Sequence, residues 1–197
     1  MSSPISVVDF VHLKKDKHYM CYELMIGYAS TMVSGLLQYD PSRVQWSMKM
    51  SNYAVPSGGG LVREFNCSCL SSDGDRIYVG TSAGEMLVYH RESGVFRAAI
   101  PVCTNGVESL TYLNNGDIIC GGGDGTLKVL KGDGDLSWEL GNSVQLNGAV
   151  RSLSKSPNNA EVIASCSSGS IYRCLIHDLS INLIVTGHTS EIKCICM

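Results

Sequence analysis

The amino-acid sequence predicts an all-β fold, a partial β-propeller of about four blades, from three observations: residue usage, a repeated strand-turn grammar, and the period at which that grammar recurs. The chain is 197 residues long, with 21 glycines, five prolines, 44% hydrophobic and 17% charged residues. That balance supports a buried core and many short strands joined by tight turns, and it argues against a disordered tail or a charged coil.

The grammar reads as an alternating strand, a polar turn, a second strand ending in small residues, a glycine turn and a third apolar strand. It occurs from Asn66 as NCSCLSSDGDRIYVGTSAGEMLVY, from Glu108 as ESLTYLNNGDIICGGGDGTLKVL, and from Arg151 as RSLSKSPNNAEVIASCSSGSIYRC. The second turns align on Gly84, Gly125 and Gly169, spaced by 41 and 44 residues. A propeller blade of four strands repeats at about 40 to 45 residues. The first turns align as well, on Ser71 to Gly74, Asn114 to Gly116 and Ser156 to Asn159, each rich in residues that tolerate hairpin turns.

A more divergent blade precedes these three, with strands expected near Ile5 to Leu13, Met20 to Ala29 and Val33 to Tyr39. It ends in Tyr39 and Asp40, where a WD repeat carries Trp-Asp. The position of the repeat's tryptophan is assigned to Tyr39, Tyr89, Leu130 and Cys174 in the four blades, so the signature is eroded. Gly187 and His188 match the Gly-His pair that opens a WD repeat, and Ile192 to Met197 is read as the start of a further inner strand. The expected blades are 5–54, 62–103, 106–146 and 149–186, with a fifth beginning at 187–197. Closure removes the exposed edges of a propeller, and four blades plus one strand leave both ends open; the sequence therefore predicts a partial ring completed by other sequence or another chain.

No constellation for catalysis, cofactor or metal emerges. His12, His18, His90, His177 and His188 fall in different blades, with no H-E-x-x-H motif or paired carboxylate beside them. His188 is expected to tie a sheet together through partners beyond Met197, and Asp124 to stabilise its hairpin. Gly121 to Gly123 in GGGDGT lack the Lys-Ser/Thr of a phosphate loop and no helix follows, so they read as a strand end and turn. The nine cysteines include no C-x-x-C pair. Cys67/Cys69 and Cys194/Cys196 are C-x-C pairs on expected strands, and all nine are read as reduced, unmetallated thiols packed as small apolar groups between sheets.

The segment Val55 to Leu61, VPSGGGL, is the expected inter-blade loop. Trp46 and Trp138 fall on outer strands, where local packing is favoured over an interface role. The net charge of −3 and scattered Lys and Arg exclude a phosphate-binding stripe, so no nucleic-acid partner is expected. There is no apolar run of about 20 residues and no signal-peptide pattern at Met1 to Phe10, so the reading is a soluble intracellular protein with no membrane partner and no small-molecule substrate.

The run from Arg63 to Asp178, including RIYVGTSAGEMLVY, NGDIICGGGDGTLKVL and SGSIYRC, resembles the cilia- and flagella-associated protein 52 family of WD-repeat proteins. Ile171, Tyr172 and Arg173 are similar to the family's I-Y-R tract. The resemblance spans roughly residues 62 to 186, and 5 to 54 by order and spacing alone. Family members look like two tandem propellers, of which this chain would be the later part of the first. The resemblance implies a non-enzymatic structural protein of the ciliary or flagellar axoneme, a microtubule inner protein on the luminal wall of the doublet B-tubule near the inner junction. Its implied partners are α- and β-tubulin and neighbouring microtubule inner proteins, and it brings no catalytic residues. The alternative is a soluble WD-repeat adaptor in ubiquitin ligation or vesicle traffic, because the fold does not fix the function.

Overall fold

The computed structural model describes residues 5–12, 20–56, 61–132 and 137–196, with side chains for Ile5 and from Tyr22 onward. Among the described residues sixteen strands form four antiparallel sheets, each made from four consecutive strands in sequence order. Blade 1 comprises β1 (Ile5–His12), β2 (Met20–Tyr28), β3 (Thr31–Asp40) and β4 (Gln45–Tyr53). Blade 2 comprises β5 (Phe65–Leu70), β6 (Arg76–Thr81), β7 (Glu85–His90) and β8 (Phe96–Pro101). Blade 3 holds β9 (Val107–Tyr112), β10 (Ile118–Gly122), β11 (Thr126–Gly132) and β12 (Trp138–Gln145), and blade 4 holds β13 (Val150–Lys155), β14 (Glu161–Cys166), β15 (Ile171–Leu175) and β16 (Ile181–Val185). The all-β propeller expectation is met, and no helix occurs among the described residues.

The first turns close in the same way three times. Ser71 Oγ and Ser156 Oγ each accept from the backbone N–H five residues on, at 3.0 and 3.1 Å. Asp73, Asn115 and Asn158 each accept from the backbone two residues on, the side-chain turn that makes Asp and Asn good turn formers. The next residue in each turn is left-handed: Gly74 at φ 75°, Gly116 at 93° and Asn159 at 52°. At the second turns the glycines have two reasons to be glycine. Gly84, Gly125 and Gly169 sit at φ 81°, 82° and 78°, and a Cβ on each would run into the segment leaving the blade: Cys103 O at 1.9 Å, Leu146 O at 2.9 Å and His188 O at 2.4 Å.

Alternation along the strands places the core between blades rather than within them. Ile118 and Cys120 on β10 face blade 2, in a cluster with Tyr78, Met86, Val88 and Val107; Ile119 between them faces blade 4 with Val162, Ala164 and Cys174. A third cluster joins Met25, Met32 and Tyr53 of blade 1 to Phe65, Ile77, Leu87 and Tyr89 of blade 2. No such cluster joins blade 4 to blade 1 among the described residues.

Tyr89, Leu130 and Cys174 each lie five residues past their turn glycine and are completely buried in these seams. Tyr39 does not match them. It lies ten residues past Ala29 in the turn of blade 1, because β3 has ten residues where β7 has six, and it is half-buried against Trp46. The longer strands carry it beyond the tryptophan position of the repeat.

The segment after blade 4 also differs from its expectation. Residues 186–196 form no regular strand. They nevertheless run across β13 and β14: Ser152 Oγ donates to Ile195 O at 3.5 Å and accepts from Ile195 N at 3.2 Å, and Ser165 Oγ donates to Ile192 O at 3.2 Å. An inner strand takes its ladder bonds from the second strand of its own blade, as β13 does from β14, and the described residues supply no such strand for this segment. Leu13, His18, Ser57 to Gly60 and Met197 lie outside the described residues.

Candidate interaction surface

Polar side chains at the start of successive inner strands form a ladder from blade to blade. Asn66 Nδ2 donates to Glu108 Oε1 at 3.4 Å, Arg151 Nη1 pairs with Glu108 Oε2 at 2.6 Å, and Arg151 Nε pairs with Glu191. One residue further on, Cys67 Sγ approaches Val107 O at 3.6 Å and Ser109 Oγ donates to Val150 O at 2.9 Å. The repeat period puts each member in the same place in its blade, so charges of opposite sign one period apart meet. Sequence reasoning missed this ladder; the signal was the spacing of 42 and 43 residues from Asn66 to Glu108 to Arg151.

Two further ion pairs sit on the seam between blades 1 and 2. Arg91 Nη1 pairs with Glu23, whose other carboxylate oxygen accepts from Ser34 Oγ at 2.5 Å. Tyr53 donates its hydroxyl to Arg91 O at 2.6 Å, and burial, reinforced by Glu23, pushes that phenol up to about 12. These groups line an open cleft of about 350 Å³. Arg63 makes a forked pair with Glu85 at 2.6 and 3.3 Å and also donates to Pro56 O at 3.0 Å, fixing one flank of the expected loop. Val55 packs against the neighbouring apolar seam. Each of these carboxylates is paired with a cation on an adjacent blade or segment, which ties those elements together.

Asp124 has the turn role expected of it. Its Oδ1 accepts from Thr126 N at 3.0 Å and Thr126 Oγ1 at 2.5 Å, while Oδ2 accepts from Thr104 N at 3.2 Å and Thr104 Oγ1 at 3.1 Å. Burial pushes the carboxyl up, but the four hydrogen bonds outweigh it and hold it at about 2. Gly123 lies under the same connector, where a Cβ would meet Asn105 O at 1.9 Å. The glycine run is therefore shaped by the chain's own backbone.

The candidate histidines do not converge. His90 Nδ1 lies 2.9 Å from Ser93 Oγ in a turn, half-buried, and the exposed His177 lies 3.3 Å from Asp178. His12 is on β1 with its side chain outside the described set. His188 contributes its backbone to the contact with Gly169, and its ring makes no hydrogen bond among the described residues. Cys120, Cys166 and Cys174 are buried free thiols, whereas Cys194 and Cys196 are exposed, contrary to the expectation that all pack between sheets. The cause is the segment they occupy, which lies on blade 4 and has nothing covering its outer side among the described residues.

The two tryptophans part company. Trp138 packs edge-on against Tyr78 at 5.5 Å and over Gly132, so local packing explains it. Trp46 is 48% exposed on β4, with Tyr39 at 4.9 Å and Tyr22 at 6.2 Å between ring centroids. Met48 and Met50 follow it on the same face at 45% and 57% exposure. Blade 1 thus carries an exposed apolar stripe on its outer strand.

Residues 94–130 match the family described as WD domain, G-beta repeat. One stretch of the chain thus carries the sequence pattern of a WD repeat, set within a propeller fold. The matched span runs from the outer strand of blade 2 through the three inner strands of blade 3 and ends on Leu130, so sequence repeat and structural blade are offset by one strand. Among curated proteins the chain is similar to cilia- and flagella-associated protein 52 of Chlamydomonas reinhardtii, with 27% identity over 141 residues. That match takes in 68% of this chain and 22% of the relative, so the chain spans about a fifth of the relative's length. Among solved structures it superposes on a chain of the crystal structure of the mitotic checkpoint complex with a TM-score of 0.69. That superposition covers 87% of this chain and half of the other at 13% identity, a likeness of fold.

Proposed function

We propose that this protein is a non-enzymatic structural component of the ciliary or flagellar axoneme. It acts as a microtubule inner protein that binds α/β-tubulin and neighbouring inner proteins on the luminal wall of the doublet B-tubule, near the inner junction. The observation that carries the reading is the similarity to cilia- and flagella-associated protein 52 over more than two-thirds of the chain. A binding role is supported by two features: charged pairs are spent on seams between blades, while Trp46, Met48 and Met50 remain exposed on blade 1.

Localisation tests it. A fluorescently tagged chain, expressed at low level in a ciliated or flagellated cell, is expected along the axoneme, to persist after detergent extraction, and to cross-link to tubulin. Diffuse cytoplasmic signal removed by detergent would overturn the reading in favour of a soluble adaptor.

A further inference from the structure

An outer strand leaves one row of backbone N–H and C=O groups without a ladder partner, and proteins blunt such edges with short strands, bulges, charges or proline. Three of the four outer strands follow that rule. β8 has six residues, a register shift at Val88/Tyr89, and Arg97 and Pro101 in its sequence. β12 is shifted at Lys128/Leu130 and carries Glu139; β16 has five residues and a shift at Ile171/Tyr172. β4 follows it least, with Lys49 as its single such feature. It has nine residues paired to β3 without a single shift, from Met32↔Tyr53 to Asp40↔Gln45, and eight of the nine are exposed. Lys49 is its one charge.

The side chains on this edge alternate cleanly. Trp46, Met48 and Met50 share one face, continued inward by Tyr39 and Leu37 opposite them on β3, while Ser47, Lys49 and Ser51 share the other. We infer that β4 pairs antiparallel, edge to edge, with β4 of a second copy of this chain, joining two blades into one eight-stranded sheet. The sequence of the strand is self-complementary about one residue. With the two-fold axis at Met48, that residue faces its own copy, Trp46 faces Met50 of the second copy, and Lys49 faces Ser47 of the second copy. A shift of the axis to Lys49 would set two ammonium groups opposite each other and leave Trp46 facing Asn52. Like charges directly opposite destabilise a sheet, so the charge selects the register. The pairing satisfies the open backbone row and sets the Trp-Met stripes of both copies side by side on one face, where Trp46 and Met50 gain cross-strand contact.

The test is the mass of the full chain in solution, by light scattering and sedimentation equilibrium over a range of concentrations. The expected result is a reversible rise to twice the monomer mass. Met48→Lys and Met48→Glu should each raise the dimer dissociation constant at least about tenfold, because each sets like charges across the axis. A one-to-one mixture of the two variants should recover the dimer, since Lys then faces Glu. Met50→Lys, which would face Trp46 of the second copy, is an independent variant, and circular dichroism shows that each variant remains folded. A wild-type chain that stays monomeric at every concentration overturns the inference. So does an oligomer unmoved by Met48→Lys, or a mixture that fails to recover the dimer. None of these outcomes bears on the axonemal reading.

Discussion

Gly84→Ala and Gly74→Ala make the same chemical change in blade 2, and the structure gives them different outcomes. Both residues are left-handed, at φ 81° and 75°, so an alanine at either costs about 1 kcal/mol of backbone strain. Gly74 has open space around the position of a new methyl group, with nothing within 4 Å. At Gly84 the methyl carbon would lie 1.9 Å from Cys103 O and 2.9 Å from the Cys103 carbonyl carbon, both backbone atoms that cannot rotate away. The connector must retreat, and it is held there by Val102 N and Cys103 N donating to Gly84 O at 2.8 and 3.0 Å. Those two hydrogen bonds contribute about 1 kcal/mol each, so Gly84→Ala should lose about 3 kcal/mol against about 1 for Gly74→Ala. Val102 is also buried in the seam with blade 3, so its displacement adds to the loss. Urea unfolding of the two variants beside the wild type measures the difference directly. Equal losses would refute the claim that the second-turn glycine is required by the approach of the connector.

Asp124 gives a pH dependence of known sign. Its carboxyl is held at about 2 in the fold, below the ordinary 3.8, so its contribution is present above about pH 4 and lost as pH falls through 2. Asp124→Asn should remove that acid-side slope and cost about 1 kcal/mol at neutral pH, discounted for the partial exposure of the site; an unchanged slope in acid unfolding curves would dismiss the assignment. Thiol labelling followed by mass spectrometry should find Cys194 and Cys196 modified in the native protein. Cys120, Cys166 and Cys174 should react only on unfolding, since burial excludes reagent and pushes the last two up to about 11 and about 12. Rapid native labelling of Cys120 would mean that the seam between blades 2 and 3 is open.

The sequence by itself determined the local geometry. Ser71, Asp73 and Gly74, or Ser156, Asn158 and Asn159, set their turns through bonds within six residues of chain, so spacing and residue type were enough to find them. The alternation of Ile118, Ile119 and Cys120 likewise fixed which side chains share a face. Tertiary structure alone decided what each face meets. Glu23 and Arg91 are 68 residues apart and belong to no common repeat position, so nothing local announces their contact. Tyr39 looked equivalent to Tyr89 because Tyr-Asp stood where Trp-Asp is expected, and strand length displaced it, a quantity set by pairing along the whole of blade 1. Cys194 and Cys196 read as strand residues, yet whether such a stretch becomes a strand depends on a second neighbour beyond β13, and the described residues supply only one side. Periodicity records which way a side chain points; the identity of the surface it meets is set by distant residues, and that is where this chain's seams and its open β4 edge were decided.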